Sequence, residues 1–184
     1  MSFTVDVING GPNRHAVLLP GGGYTVDSPV LWYPATALSY LGWTCHLIRW
    51  ADGMTREQVP TIAAEMINRV RREHRAAQIL IIGKSLGTLS MPVAAASVLP
   101  GIWLTPLLTE PEIGKLARRL GPEHLLIGGT ADPYWDQQIV ESTQAQVLQI
   151  PDADHALQIH RNLGRTMAAI TALANGVDTF ARSL

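Results

Sequence analysis

A single cysteine, Cys45, rules out an internal disulfide and points to a reducing compartment. Its setting, Thr44-Cys45-His46-Leu47-Ile48, is that of a buried strand thiol rather than a reactive one. Charge is scarce as well. Charged residues make up 16% of the chain against 47% hydrophobic, which favours a packed globule over disorder. A formal net charge of -1 gives no field for nucleic acid or another polyanion. The opening Met1-Ser2-Phe3-Thr4-Val5-Asp6 lacks a basic stretch followed by an apolar one, and no apolar run reaches membrane-spanning length. A cytoplasmic protein with no membrane partner is therefore expected. Repeats, low-complexity tracts and Pro/Ser linkers are missing too, so 184 residues read as one domain spanning 1–184.

What is present is alternation. Seven short apolar runs bounded by Gly or Pro predict strands over 4–8, 16–19, 44–50, 78–82, 101–105, 124–127 and 146–150. Between the third and fourth, Val59, Ile62, Ala63, Met66, Ile67 and Val70 recur at spacings of three and four, one face of a helix. Arg69, Arg71, Arg72 and Arg75 crowd its far end, where cations complement the helix dipole. A short helix is expected around 113–120, and a closing helix through Leu163, Met167, Ile170, Ala174 and Val177. Such alternation predicts an α/β fold with a mostly parallel sheet of about seven strands and helices on both faces. The eighteen residues between Thr105 and His124 leave no room for a cap domain.

The chemistry-bearing residues follow strand ends, where parallel sheets gather functional groups. Gly83-Lys84-Ser85-Leu86-Gly87 comes directly after Ile79-Leu80-Ile81-Ile82. In a G-x-S-x-G turn the serine takes strained backbone angles, the flanking glycines allow close approach, and the next N–H faces a developing oxyanion. Pro20-Gly21-Gly22-Gly23-Tyr24 follows the second strand, Asp132 the sixth and His155 the seventh. A serine hydroxyl needs a base to take its proton, and an imidazole needs a carboxylate to fix its tautomer. Asp136 is the rival to Asp132, with helix capping the plainer role for either. His160 is expected in a helix-like segment and His124 at the amino-terminal end of its strand, so His155 has less competition, a surface loop histidine being its plainer reading.

Other sites are excluded residue by residue. Gln78 stands where a phosphate-binding loop ending in Gly83-Lys84-Ser85 needs glycine, and Val26 where a dinucleotide fingerprint beginning at Gly21 needs one. The six histidines form no H-E-x-x-H pair, and His155 and His160 fall on different faces of any helix. No metal and no cofactor are expected.

Together the elbow, the Gly-Gly-Thr-Ala-Asp-Pro acid turn, the Asp-Ala-Asp-His-Ala loop and Pro-Gly-Gly-Gly-Tyr, in the order Ser, Asp, His, resemble the α/β-hydrolases. The likeness is to a minimal, lidless, esterase or dienelactone-hydrolase-like member. It implies Ser85 as nucleophile, His155 as base, Asp132 as orienting acid, and oxyanion donors from Leu86 and from Gly22, Gly23 or Tyr24. The implied reaction is cleavage of a small ester or thioester through an acyl-enzyme. A non-catalytic scaffold for a ligand or protein, an acyltransferase and a peptidase are the other uses of such a frame. Pro20 replaces the histidine many esterases carry in the oxyanion loop, and Lys84 replaces a usual histidine or aromatic. Lys84 is expected to face solvent, with contact to an anionic substrate as the alternative. Trp32, Tyr24 and Trp135 lie near these loops as candidates for substrate contact, and Trp135 and Tyr24 are open between pocket and packing roles. Trp43, Trp50 and Trp103 are expected in the core.

Overall fold

A computed structural model describes residues 2–75 and 77–184. The seven expected strands are all present: β1 (Phe3–Ile8), β2 (Arg14–Leu19), β3 (Thr44–Trp50), β4 (Gln78–Lys84), β5 (Gly101–Leu104), β6 (His124–Gly129) and β7 (Gln146–Ile150). They form one sheet in the order β1-β3-β2-β4-β5-β6-β7. Only β1 runs antiparallel to its neighbour; every other pairing is parallel. Among the described residues six α-helices accompany them, the last following β7: α1 (Pro29–Tyr40), α2 (Val59–Glu73), α3 (Met91–Ala96), α4 (Pro111–Ala117), α5 (Gln137–Ser142) and α6 (Leu163–Arg182).

The central strands are apolar on both faces because both are covered. Ala16, Leu18, Leu80, Ile82, Ile102, Leu104, Leu125 and Ile127 point to one side, where Val30, Leu31, Ala35 and Leu38 of α1 meet Ala169, Ile170, Leu173 and Val177 of α6. The residues between them, Val17, Leu19, Ile79, Ile81, Trp103 and Leu126, pack on the other side against α2 to α5. On α2 the buried residues are the six read from the spacing. Arg69 at its far end pairs with Glu73, and Arg71 donates to the Ser97 carbonyl. Cys45 is buried, and burial pushes its thiol up to about 12.

The strand order reverses between β2 and β4. From β2 the chain moves outward to β3 and then crosses back to place β4 on the other side of β2. Loops leaving the carboxyl ends of β2 and β4 therefore diverge and open a crevice, the usual ligand position in open α/β sheets. Among the described residues no cap domain interrupts this edge, and α4 is the sole helix between β5 and β6. No described helix is long and apolar enough to cross a membrane.

Three imidazoles lie together on β2, β3 and the end of α2. His15 stacks on His74 with ring centroids 4.1 Å apart and bonds to His46 at 3.0 Å. Because the Pro12 carbonyl must accept from His15 Nε2, the Nδ1 of His15 accepts from His46 Nε2–H. The His15 ring is thus held neutral by its bonds. Burial is the main cause of the lowered pKa of both His15 and His46, and that of His46 falls to about 4. In the unfolded chain an imidazole takes its proton near pH 6.5. Between that pH and 4 the unfolded state binds more protons, so stability falls as pH drops through the window. The His46 contribution to that fall is up to about 3 kcal/mol. Urea unfolding at pH 7 and pH 4.5 should show a smaller loss in His46→Gln than in the wild type.

Candidate active site

β4 ends at Lys84, and Ser85 turns the chain with a φ of 51°, a left-handed conformation that strains any side-chain-bearing residue. The next residues form a 3-10 turn, Ser85–Ser90, before the short Ala-rich α3. Thr88 fixes the turn, donating to the Ser85 carbonyl and accepting from Leu107 N–H in the loop after β5. Gly87 lies against the end of β2: a Cβ there would strike the Leu19 carbonyl, and one on Gly83 would strike Gly87 itself. The elbow folds because both positions lack a side chain.

The acid turn and the histidine loop are stitched to each other. Thr130 N–H donates to the Ile150 carbonyl, Ala131 N–H to Ala153 and Asp152 N–H to Thr130 Oγ1. Gly129 permits this, since a Cβ on it would collide with the Ala153 carbonyl. The loop itself is tightly wound, with Asp152, Leu157 and Arg161 all at positive φ. Its winding carries His155 back over the sheet edge.

Three side chains meet there. His155 Nε2 is 2.7 Å from Ser85 Oγ, and His155 Nδ1 is 2.8 Å from Asp132 Oδ2. A carboxylate can only accept, so Nδ1 carries the hydrogen and Nε2 presents its lone pair to the serine hydroxyl. The Asp132 side chain is fully buried, and its other oxygen accepts from Tyr134 N–H at 2.9 Å. The Tyr134 ring packs against His155 with centroids 4.9 Å apart. Position alone, directly after the acid-turn proline, is the sequence signal for Tyr134. The arrangement can move a proton from the serine and hold the resulting imidazolium.

Asp136 takes the capping role: its side chain accepts from Gln138 and Ile139 N–H at the start of α5. His160 lies in an exposed turn before α6 rather than in a helix. His124 is buried at the amino end of β6, 3.3 Å from Trp103 Nε1. Among the described residues no three His, Cys, Asp or Glu side chains group to hold a metal.

A cleft of about 410 Å³ opens over the serine, lined by Gly21 to Tyr24, Lys84, Ser85, Pro133, Asp154, His155 and Ala156. The Leu86 side chain would contact a Cβ on Gly22 at 3.6 Å, whereas Gly23 faces open space. Tyr24 has two structural attachments. Its hydroxyl accepts from Val30 N–H in the first turn of α1, and its ring lies beneath the Lys84 ammonium. The expectation of a solvent-facing Lys84 is wrong: the residue is 3% exposed, its stem running beneath the glycine loop. Trp135 also belongs to the packing, its ring filling the space left by Gly128 and its Nε1 donating to Gln149. Trp32 stands exposed on α1 and is not among the cleft-lining residues. Trp43 and Trp103 are buried, but Trp50 is only half-buried and donates from Nε1 to the carbonyls of Pro20 and Gly21. It anchors the glycine loop from the β3 side.

No protein-family model and no curated protein sequence matches the chain. Solved structures do. An α/β serine hydrolase without a lid from Xanthomonas campestris is 19% identical, with 98% of this chain and 88% of that one aligned at a TM-score of 0.72. Est1E from Butyrivibrio proteoclasticus, solved with ferulic acid bound, is 13% identical over 98% and 94% at a TM-score of 0.76. A dienelactone hydrolase from Anabaena variabilis is 15% identical over 98% and 91% at 0.66. The chain has the α/β-hydrolase fold in its lidless form.

The two aspartates are separable by experiment. Asp136→Ala should lower stability by about 1 kcal/mol through loss of the α5 cap, measured by urea unfolding.

Proposed function

We propose that the protein is a serine hydrolase that cleaves a small carboxylic ester or thioester through an acyl-enzyme. The observation that carries this reading is the unbroken chain Ser85 Oγ to His155 Nε2 to Asp132 at 2.7 and 2.8 Å. Ser85 attacks the carbonyl as His155 takes its proton; Asp132 holds the ring and offsets the imidazolium charge. The tetrahedral oxyanion receives N–H groups from Leu86 and from the Gly22 to Tyr24 loop, with Gly22 favoured by its place beside Leu86. His155 then returns the proton to the leaving group, and water releases the acid by the same steps reversed. The structural neighbours named as hydrolases support the general class. An open cleft with no lid favours a small substrate over a long acyl chain. Buried Cys45 and the absence of disulfides agree with a cytoplasmic site of action.

A fluorophosphonate probe should label the wild type and fail to label Ser85→Ala. Folded wild type that takes no label would leave a binding scaffold as the better account. Among labelled variants, Asp132→Asn should reduce turnover of p-nitrophenyl butyrate by about 10⁴-fold, because the imidazole loses its fixed tautomer. A loss under tenfold would remove Asp132 from the relay.

A further inference from the structure

Lys84 is the charged group in the cleft that this mechanism leaves unused. Its ammonium sits 4.7 Å from the centroid of the Tyr24 ring, and no hydrogen-bond acceptor for it is present among the described residues. Neither carboxylate nearby bonds to it: Asp132 is shared by His155 and Tyr134 N–H, and the exposed Asp154 accepts from Ala156 and Gln158 N–H through one oxygen. Nor is the ammonium sealed away. Trp43 Nε1 and Thr105 Oγ1 are the side-chain atoms that are both fully enclosed and unpartnered among the described residues, while Lys84 lines the cleft with Ser85 and His155.

An ammonium has three donors, and an aromatic face attracts it without supplying a lone pair. With its stem buried and its head open to the cleft, the ammonium has those donors free for an anion that enters there. The place for one is close to the reacting atoms. A Cβ on Gly21 would lie 3.4 Å from Lys84 Cδ and 3.5 Å from Ser85 Cβ, so the lysine stem and the serine flank one point of the glycine loop.

We propose that Lys84 selects the substrate: an ester or thioester bearing a carboxylate a short link from the scissile carbonyl, as in a half-ester of a short dicarboxylic acid. The carboxylate docks on the Lys84 ammonium while the carbonyl lies over Ser85, a reading that rests on the hydrolase assignment above. Burial lowers the lysine pKa to about 8, against the opposing pull of Asp132 and Asp154. The other titratable groups in the cleft are His155 and Tyr24. The ammonium is charged below that pH and lost above it, so selection weakens as pH rises through about 8.

The test measures kcat/KM for p-nitrophenyl hydrogen glutarate against p-nitrophenyl butyrate in wild type, Lys84→Met and Lys84→Arg, each checked for folding by circular dichroism. Wild type should favour the anionic ester. That ratio should fall about tenfold or more in Lys84→Met, survive in Lys84→Arg, and decline in wild type but not in Lys84→Arg above pH 8. Equal ratios in wild type and Lys84→Met overturn the proposal and leave Lys84 as a prop for the glycine loop. Calorimetry of monomethyl glutarate with Ser85→Ala separates this from the hydrolase assignment. If no ester is turned over, binding to Ser85→Ala that disappears in Ser85→Ala/Lys84→Met still supports the anion site. Equal binding in both, or none in either, refutes it.

Discussion

Everything at the cleft depends on how closely two stretches of backbone approach at the carboxyl ends of β2 and β4. Gly87 rests against the Leu19 carbonyl, and Gly83 against Gly87, so the turn after β4 folds back directly over the neighbouring strand. That contact leaves Ser85 no room for an ordinary conformation and drives it to positive φ. The glycine loop leaving β2 then has its path set from two sides, by the Lys84 stem beneath it and the Trp50 indole bonded to its carbonyls. A side chain at position 87 would separate β2 from the elbow, and both the serine and the loop facing it would move.

The second half of the site is built on the same kind of approach. Gly129 lets the acid turn lie on the Ala153 carbonyl, and three hydrogen bonds join the turn to the histidine loop. Asp132 and His155 are consequently positioned by a shared backbone frame rather than by their own bond alone. The imidazole has a fixed ring position before any substrate arrives, an arrangement that lowers the reorganisation needed in a proton transfer.

Much of this was legible in the sequence, for a physical reason. Parallel strands covered on both faces are short continuous apolar runs, and each loop of the candidate site begins where such a run stops. The seven strands, the α2 face and the order Ser85, Asp132, His155 all follow from that punctuation. α1 is less readable: Pro34 sits inside it, and apolar residues cover its exposed side as well, with Trp32 and Tyr33 facing out. α5 is too short for a periodic signal, and only Asp136 marks its start. Lys84 and Trp135 were not legible because their burial depends on glycines in other segments, one 63 residues away and one across the acid turn. Gly21 lies over the lysine and Gly128 makes room for the indole, and no local pattern records which side chain a glycine accommodates.

On the proposed reading, the position of Lys84 also bears on how a hydrolase fold without a lid would discriminate between substrates. A cap normally supplies specificity by enclosing the substrate, and an open cleft cannot exclude water or sense the far end of a ligand. What it can do is present a charge from below, on a stem that the protein itself buries. The ammonium on the Tyr24 face is in such a place: its stem is covered by the loop, its head reaches the cleft, and Tyr24 is itself tied to α1 through Val30. Rigidity and low dielectric make one charge count for more there than on an exposed rim. On the proposed reading the elbow would carry two functions on adjacent residues, with Ser85 facing the carbonyl and Lys84 facing what the carbonyl is attached to.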